Sequence, residues 1–465
     1  MFLLIPQQPE STQRSSWSAS DLYKRQTLLI ICIVFITSCH STKEITSTDN
    51  SALDSNITEA IAIAEPAIIY KNKTFNTQIK TLLCHQKEEE LSLSIINLNS
   101  EKQLLISFDD LEADIKDYYY TIIHCNSNWT ASDLMQSEYI SGFTDEPITN
   151  YEFSFNTLQK YTHYSFEFPT EEIKPMLSGN YIFKRFEEGG SVIAYKRFMV
   201  LETKLTIEAQ VRRATLAEDR NTKHEIDFTI RHPNLVMGDP FSDIKVTIKQ
   251  NNKEDNSITD LAPLFVKNDE LIYDYEDDNT FWGNNEFRHF DIKSLRYQSE
   301  RIKDITYDST YNQVYLFNDR KRSFDRYSIE PDINGNFLIK SQEARNSKIE
   351  ADYAFVHFTL PMDNISYGDL YLLGVFSDWE LKEDFKLDYN KGRKQYEGSV
   401  YLKQGYYNYH YALQDISTNR VDVSFIEGTH YQTRNDYYVY VYYRAVGDRY
   451  DRFVGFLKTS SKELF

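Results

Sequence analysis

Basic residues are scarce in this chain of 465 residues. Lysine and arginine number 51 against 70 aspartates and glutamates, which gives a formal net charge of -19 at pH 7. Proteins that bind a phosphate backbone present basic patches, and the sequence has no extended basic stripe, so nucleic acid is not an expected partner. Glycine and proline are also few, at 15 and 11, which favours ordered sheet over disorder.

Apolar runs long enough to cross a bilayer are missing as well. Thr27–Ile36 (TLLIICIVFI) follows the basic pair Lys24-Arg25 and is too short to span a membrane. A basic region, a short apolar segment and small residues are the parts of a secretory signal. Ile36–Cys39 (ITSC) also fits a bacterial lipobox, in which Cys39 is acylated and becomes the mature N-terminus; an ordinary signal peptide with an incidental Cys39 is the alternative. We expect a signal peptide over residues 1–38, with a non-native extension at its start.

Cysteine is rare, with four residues. Cys32 lies in the signal and Cys39 is assigned to lipid, so Cys84 and Cys125 remain in the mature protein. Export to an oxidising compartment permits a disulfide between these two residues, and a pair of free thiols is the alternative. Two cysteines do not make a disulfide scaffold.

The short motifs of common enzyme classes are also missing. The sequence has no G-x-S-x-G, H-E-x-x-H or P-loop pattern, and its histidines do not cluster at metal-ligand spacing. His124-Cys125 invites a dyad interpretation, with Asp109-Asp110 and His163 as partners. Neighbouring side chains on a strand point to opposite faces, however, so His124 and Cys125 would not meet. We expect no enzyme activity, no cofactor and no metal.

One segment resembles the start of a calcium loop. Asp332–Asn336 (DINGN) places oxygens at alternate positions, but the sixth position is Phe337, where a calcium loop requires glycine for a sharp turn. Asn334-Gly335 between apolar flanks is better explained as a type I′ turn.

Aromatic residues are abundant, at 15% of the chain with 35 tyrosines. Short segments alternate between apolar and polar residues, among them Gln103–Phe108, Tyr118–Cys125 and Tyr164–Phe168. Period-two patterning at this spacing predicts β-sandwich domains. We expect an all-β protein of tandem immunoglobulin-like and E-set-like β-sandwich domains. The helical candidates are few and short, such as Ala131–Glu138 and Glu171–Leu177.

The domain organisation follows from composition and patterning. Residues 39–64 are rich in Ser, Thr, Asn and acidic residues and are interpreted as a lipid-anchored flexible tether, with a root-mean-square reach of about 30 Å. We expect three β-domains at residues 65–202, 203–345 and 346–465. The polar stretch Ser299–Ser328 is expected to be a long hairpin or an insertion.

Two aromatic stripes stand out in the last of these domains. Each consists of three tyrosines at alternate positions, so that each set shares one strand face: Tyr407, Tyr409 and Tyr411 in the first, and Tyr438, Tyr440 and Tyr442 in the second. Such residues stabilise a sheet through cross-strand pairs or form protein interfaces.

A glycan-binding alternative comes from Gly374–Trp379 (GVFSDW), with Tyr396–Gly398 and Leu402–Tyr409 behind it. These segments resemble β-sandwich modules that bind glycogen or precede amylase barrels. In those modules an exposed tryptophan stacks on a sugar ring, and Trp379 would either do so here or cap the sandwich core. A surface or periplasmic glycan-binding lipoprotein is therefore the alternative function.

An ordered series of short motifs runs from about Ile79 to Gly455. Its members are Ile106–Leu111 (ISFDDL), Tyr120–Asn126 (YTIIHCN) with Trp129, Glu138–Phe143 (EYISGF), Ser154–Thr157 (SFNT), Tyr161–Tyr164 (YTHY), Ser178–Tyr181 (SGNY), Arg197–Val200 (RFMV), Asn285–Arg288 (NEFR), Leu402–Tyr409, Ile426–Gly428 (IEG) and Tyr450-Asp451. The series resembles the plug protein of the type IX secretion system of Bacteroidetes.

The resemblance implies a non-enzymatic subunit of an outer-membrane translocon. In such systems a giant single-chain β-barrel conducts folded cargo, and the plug protein closes its periplasmic mouth when no cargo is engaged. The expected partners are this barrel and other translocon subunits, and the membrane is reached only through the lipid on Cys39. His40, without an acidic cluster after it, favours the periplasmic side of the outer membrane.

The motif residues are expected to serve in turns and packing or to face the barrel, and the sequence leaves both alternatives open. They are Phe108, Asp109, Asp110, His124, Trp129, Asn156, His163, Glu286, Arg288 and Trp379. Gly142 and Gly179 suit turns that need positive φ, and Asn156 suits an Asx turn.

Overall fold

The computed structural model describes residues 70–187 and 190–461. The expected signal, Cys39 and the expected tether lie outside these ranges. Within the described ranges the helices are one turn long, and no helix is long and apolar enough to cross a membrane. The α-helices are α1 (Gln136–Tyr139), α2 (Pro240–Asp243), α3 (Ser347–Glu350) and α4 (Ser424–Glu427).

The N-terminal sandwich contains twelve strands. They are β1 (Lys73–Thr74), β2 (Ile79–Gln86), β3 (Ile95–Asn97), β4 (Leu104–Asp110), β5 (Tyr118–Cys125), β6 (Ile140–Gly142), β7 (Asp145–Pro147), β8 (Asn150–Phe153), β9 (Thr162–Phe168), β10 (Ile173–Pro175), β11 (Gly179–Glu187) and β12 (Val192–Leu201). One sheet has the order β1-β12-β11-β5-β7 with β3 beside β12, and the other has the order β2-β4-β9-β8. Alternating residues such as Phe108, Tyr164 and Phe183 fill one core between the two sheets.

Seven strands begin the middle sandwich. They are β13 (Thr206–Arg213), β14 (Lys223–Arg231), β15 (Ile244–Gln250), β16 (Ile258–Thr259), β17 (Phe265–Val266), β18 (Glu270–Tyr273) and β19 (Thr280–Trp282). One sheet of this sandwich has the order β13-β14-β18-β17, with β19 paired to β14.

The next ten strands form one large sheet. They are β20 (Arg288–Asp291), β21 (Ile302–Tyr307), β22 (Asn312–Leu316), β23 (Phe337–Ile339), β24 (Tyr353–Pro361), β25 (Gly368–Leu373), β26 (Lys386–Asn390), β27 (Gln395–Lys403), β28 (Gly405–Asp415) and β29 (Val421–Asp422). The main order is β20-β28-β25-β26-β27-β24-β22-β21. Residues from strands along this whole path share one core, which includes Tyr407, Tyr409 and Tyr411, so the sheet curls over on itself.

The last two strands, β30 (Asp436–Tyr443) and β31 (Arg452–Ser460), return to the middle sandwich. β30 pairs antiparallel with β15, from Ile244 opposite Tyr443 to Gln250 opposite Tyr437. The second sheet of the middle sandwich is therefore β16-β15-β30-β31, and the large sheet is inserted between β19 and β30.

This pairing corrects the expected boundaries of the second and third domains. A division between residues 345 and 346 would cut the large sheet, because β22 on one side of it pairs in parallel with β24 on the other. It would also remove β30 and β31 from the sandwich whose core they complete through Val439, Val441 and Val454. Hydrophobic burial between segments far apart in sequence decides both points.

Local patterning is confirmed in several places, but neither helical candidate is fully confirmed. Ala131–Glu138 is helical only at its end, in α1 (Gln136–Tyr139). Tyr118–Cys125 forms β5 over the predicted residues, and Ser299–Ser328 contains the β21–β22 hairpin. Gly142 and Gly179 have φ values of 114° and 148°, as expected for turns that need positive φ. Glu171–Leu177 is not helical but contains β10, because Ile173 is fully buried and β10 pairs with β6.

One buried basic side chain in the described part of the N-terminal sandwich makes no ion pair with a carboxylate. Arg185 on β11 is fully buried, and its Nε, Nη1 and Nη2 atoms have no hydrogen-bond partner among the described residues. Its guanidinium lies 5.2 Å from the centroid of the Phe108 ring. Burial lowers the pKa of Arg185 to about 9, which shows how poorly this core solvates a cation.

Arg185→Met is therefore expected to raise the free energy of unfolding by about 1–4 kcal/mol, because the substitution removes a desolvated charge and keeps an apolar side chain of similar length. Urea unfolding followed by circular dichroism measures the change. Arg288→Met is the matched control, because Arg288 contacts two buried carboxylates, Glu427 and Asp319, and its loss should destabilise the protein. Destabilisation by Arg185→Met would contradict this account of the core.

Candidate functional site: the junctions between the three β-bodies

The N-terminal sandwich, the middle sandwich and the large sheet meet at three junctions, and most of the motif residues lie at or beside these junctions. At the first junction, Asp109 of β4 is fully buried and faces away from its own core. Its Oδ2 accepts from the Lys403 Nζ and the Tyr353 hydroxyl, each at 2.6 Å, and both partners belong to the large sheet. His163 Nδ1 lies 2.7 Å from Asp109 Oδ1. Asp109 thus joins two bodies through one carboxylate.

At this junction the neighbours of Asp109 favour its ionised form, while burial lowers the pKa of Lys403. Burial alone would raise the pKa of Asp109, but Lys403 and His163 outweigh it, so that the pKa lies below its ordinary value. The Lys403 ammonium also lies 4.1 Å from the centroid of the Tyr161 ring and donates to the Lys348 carbonyl at 2.7 Å. Lys403 is therefore held by a carboxylate, a carbonyl and an aromatic ring, whereas Nε2 of His163 has no hydrogen-bond partner among the described residues.

Backbone contacts extend the first junction. The Asp352 carboxylate accepts from the backbone amides of Leu158 at 2.7 Å and Gln159 at 3.1 Å. The amide of Phe155 donates to the Ile349 carbonyl at 2.9 Å. Asn156 lies in this loop with a φ of 59°, a left-handed conformation that asparagine tolerates. The loop after β8 is thereby fixed to the segment around α3.

At the second junction, the outer faces of the two sandwiches pack together. Tyr438, Tyr440 and Tyr442 of β30 form one cluster with Trp129 and Cys125 of the N-terminal sandwich. The Tyr442 hydroxyl donates to Asn180 Oδ1 at 2.9 Å. This stripe of tyrosines therefore forms an interface inside the protein.

Charged groups border the same interface. The Arg197 guanidinium lies 4.1 Å from the centroid of a Trp129 ring and donates to Glu254 Oε1 at 3.1 Å. The Asp451 carboxylate, 1% exposed, accepts from the amide and the hydroxyl of Ser127 at 2.9 and 2.8 Å. Trp129 and Asp451 thus fix the second junction from opposite bodies.

His124 lies beside this junction, on the face of β5 opposite to Cys125. Its Nδ1 lies 2.9 Å from Ser132 Oγ, its Nε2 lies 3.3 Å from the Ser178 carbonyl, and its ring contacts Tyr450 of the middle sandwich. Burial lowers the pKa of His124 to about 4. The predicted separation of His124 and Cys125 is confirmed, since the two residues belong to different packing environments.

The third junction joins the middle sandwich to the large sheet. Lys253, 2% exposed, places its ammonium 4.7 Å from the centroid of a Trp379 ring. Trp379 packs edge to face with Phe287, and Gly335 lies so close to its indole that a Cβ there would clash. Trp379 therefore serves as a packing residue, which is one of the two roles open to it in the sequence.

The turn beneath Trp379 confirms one prediction. Asn334 and Gly335 have φ values of 52° and 79°, and the amide of Asn336 donates to the Ile333 carbonyl at 3.1 Å, as in a type I′ turn. The Asp332 carboxylate accepts from the amides of Asn334 and Phe287. The Asp332 carboxylate oxygens therefore bind the backbone amides of this turn and of the segment before β20.

A buried ion network lies next to the third junction. Arg288 donates to Glu427 at 3.0 Å and to Asp319 at 2.9 Å, and Arg322 donates to the same Glu427 carboxylate. Burial would raise the pKa of Glu427, but Arg288 and Arg322 lower it to about 2. Glu286 accepts from the Tyr327 hydroxyl, and burial raises its pKa to about 7.

Two further motif residues belong to the N-terminal sandwich alone. Phe108 stacks on Tyr164 in the core. Asp110 accepts from the Tyr118 hydroxyl at 2.8 Å and contacts the Lys116 ammonium at 2.9 Å. Glu112 and Asp114 lie near enough to Asp110 to hold a metal ion with it, but the Lys116 ammonium is paired with all three carboxylates.

The disulfide alternative is wrong, because Cys84 and Cys125 are free thiols. Cys84 on β2 packs against the inner core of the N-terminal sandwich, whereas Cys125 at the end of β5 packs at the second junction. Burial raises the pKa of Cys125 to about 12, which keeps its thiol protonated at neutral pH.

A cleft of about 860 Å³ lies where the three bodies meet, and Trp129 and Trp379 both line it. Its cations are paired with carboxylates: Lys196 with Asp378 at 3.2 Å, and Arg197 with Glu254 at 3.1 Å. These ion pairs hold the walls of the cleft together.

Comparison with known proteins assigns the first of these bodies to a family. Residues 79–202 match the family model described as "Type 9 secretion system plug protein 1st domain", and they coincide with the N-terminal sandwich from β2 to the end of β12. The chain belongs to the type IX secretion plug protein family.

A solved structure is similar over most of the chain. It is the crystal structure of a hypothetical protein from Parabacteroides merdae, 33% identical, with a TM-score of 0.82, and the alignment covers 85% of this chain and 100% of that one. No curated protein matches. Membership of a plug protein family indicates a structural role, association with the secretion system and a location in the cell envelope.

Several partners of the motif residues were missed in the sequence. Lys403 and Glu427 lie inside two members of the motif series but were not singled out, although a lone charge in an apolar strand was a usable signal. Tyr353 and Asp319 lie outside the series. Their pairing with Asp109 and Arg288 depends on contacts across 244 and 31 residues, which no local pattern encodes.

Lys403→Met is expected to lower the free energy of unfolding by about 3–5 kcal/mol, because Asp109 would keep a buried charge without its cation. Asp109→Asn combined with Lys403→Met should recover part of the loss. Urea unfolding and hydrogen exchange at the Leu158 and Gln159 amides measure both effects.

The control is Lys386→Met, whose pair with Asp369 lies at the surface and should contribute less than about 1 kcal/mol. Equal losses in Lys403→Met and Lys386→Met would contradict the role of the buried pair.

The protein is also expected to lose stability as the pH falls from 6.5 towards 4. The unfolded His124 binds a proton below about pH 6.5, while the folded residue stays neutral until about pH 4, so acid favours the unfolded chain in this window. Thermal unfolding midpoints across the window test this, with His124→Asn expected to show a shallower decline than the unsubstituted protein. Parallel curves for the two proteins would show that His124 does not contribute.

Proposed function

We propose that this protein closes the periplasmic mouth of the giant outer-membrane β-barrel of type IX secretion while no cargo is engaged. The observation that carries the proposal is the fusion of all described β-bodies into one compact unit, Ala67–Phe465. A pore wide enough for folded cargo leaks unless a body of domain size fills one end. Such a body must also keep its shape against the pore.

Rigidity is the property that the junctions support. Linked domains move relative to one another unless their interface is large and apolar, and the second junction is a buried aromatic cluster. The first junction adds a buried ion pair between Asp109 and Lys403, both 1% exposed at the side chain. Because β30 and β31 return after the large sheet, that sheet is also connected to the middle sandwich by two chain crossings.

Position is the second requirement, and Cys39 would supply it. A lipid on Cys39 with residues 39–64 as a tether would hold the folded body within about 30 Å of the membrane. This reach suits the periplasmic side of the outer membrane. The glycan-binding alternative gains no support from Trp379, whose ring is packed against Phe287 and Lys253.

Purification of the translocon barrel in native detergent tests the proposal. The barrel is expected to co-purify with this protein at a fixed ratio, and less so when cargo is trapped in the pore. Deletion of the gene should increase the entry of a fluorescent dextran into the periplasm of cells that retain the barrel.

Cys39→Ala serves as the control for position, because it should release the protein from the membrane fraction without unfolding it. Absence of the protein from purified barrels, together with unchanged dextran entry in the deletion strain, would refute the plug role.

A further inference from the structure

A single phenylalanine stands in solvent at the tip of a loop that follows β22. Phe324 is 95% exposed. It lies in Asn318–Tyr327, a segment named here the Phe324 loop. An isolated exposed apolar residue needs no explanation by itself, so the question is whether the loop is built to hold it there.

The base of the Phe324 loop is fixed by buried charges. Asp319, 4% exposed, accepts from Arg288 at 2.9 Å and from the Tyr409 and Tyr411 hydroxyls at 2.6 and 2.8 Å. Arg322 is ion-paired with Glu427, and its amide donates to the Ile426 carbonyl at 2.9 Å. The loop is therefore anchored on both sides of a short turn.

Other contacts complete the anchoring. The amide of Asp325 donates to the Arg322 carbonyl at 3.0 Å and closes the turn that carries Phe324. Gly428 has a φ of 78° and lies so near Ser323 that a Cβ on Gly428 would be 3.1 Å from the Ser323 Cα. The Tyr327 hydroxyl donates to Glu286. Residues of the Asn285–Arg288 and Ile426–Gly428 motifs thus hold this loop in one shape.

The tip is basic, although the whole chain carries a net charge of -19. The Lys321 ammonium lies 3.5 Å from the centroid of the Phe425 ring and 6.0 Å from that of Phe324. Arg326 is exposed, and Arg320 is 74% exposed in its surface pair with Asp325. Aromatic and arginine side chains are the residue types that are enriched at the centres of protein interfaces.

We propose that the Phe324 loop docks this protein on a partner protein surface that carries carboxylates around an apolar pocket. Phe324 would fill the pocket, and Lys321 and Arg326 would pair with the carboxylates. The inference rests on the proposed function, because the partner is taken to be the periplasmic face of the barrel. Charge complementarity favours an acidic partner, since the basic tip is a local exception on an acidic protein.

A protein partner suits this loop better than a bilayer. A backbone held in one conformation reduces the entropy that ordering would cost on binding, and that gain requires a partner with a fixed complementary shape. A fluid headgroup region offers no such shape, and peripheral membrane binding usually uses a continuous apolar face, whereas Phe324 is a single projecting ring.

The test uses the full-length protein and the detergent-solubilised barrel in a binding assay on immobilised barrel. Phe324→Asp is expected to weaken binding by at least about ten-fold, as for a central interface residue. Arg326→Glu should weaken binding more at low than at high salt, because exposed charges are screened. Val446→Asp is the matched control, since Val446 is 93% exposed in the β30–β31 turn, and it should bind as the unsubstituted protein does.

The outcomes separate the inference from the proposed function. Failure of the unsubstituted protein to bind the barrel would overturn both. Equal binding by the unsubstituted protein and Phe324→Asp would overturn the docking role alone, as would equal losses in Phe324→Asp and Val446→Asp. Binding to phosphatidylethanolamine–phosphatidylglycerol vesicles that is lost in Phe324→Asp, with barrel binding unchanged, would assign the loop to the membrane instead. Unchanged thermal unfolding of Phe324→Asp verifies its fold.

Discussion

A carboxylate buried between two bodies of a protein constrains how those bodies can lie. Asp109 is shielded from water at the interface, and Lys403, Tyr353 and His163 provide the hydrogen bonds that water would otherwise supply. The net gain in stability from such a pair is small, but separating its partners leaves a charge in an apolar environment. The pair therefore selects one orientation of the N-terminal sandwich against the large sheet and penalises the others.

The other junctions follow the same logic with different chemistry. The second junction buries tyrosines whose hydroxyls need partners, and Tyr442 finds one in Asn180. The third junction buries the ammonium of Lys253 against aromatic rings. Apolar burial provides most of the favourable free energy. The hydrogen bonds of the buried polar groups form in only one relative position of the domains, so these groups select that position. A family of proteins that must keep a fixed outer shape has reason to use such contacts between domains.

The sequence predicted what depends on neighbouring residues and failed where distant segments decide. β5 and the Asn334-Gly335 turn follow from alternation and turn chemistry, and both are confirmed. The pairing of β30 with β15 joins residues nearly 200 positions apart. The alternation of apolar and polar residues in a strand does not indicate which other strand it pairs with. The disulfide alternative failed because Cys84 and Cys125 pack in two different clusters, and this depends on which face of each strand is buried. Glu171–Leu177 failed because tertiary pairing overrides weak helix propensity over one or two turns.

Most of the motif residues share one property, which is that their side chains make contacts inside the protein. Asp109, Trp129, His163 and Trp379 look like site residues in a linear sequence, since charged and aromatic residues in a patterned series are typical of binding or catalysis. In the structure each of these four side chains makes its contacts inside the protein, and none of the four is more than half exposed. A partner of the assembled molecule must then recognise residues that the junctions leave in solvent. The Phe324 loop contains both kinds of residue. Its base contacts buried charges of the motif series, and its tip lies in solvent. The buried network stabilises the large sheet, but the exposed Phe324 ring contributes little to folding, so its position on this fixed base points to a role in contact with a partner.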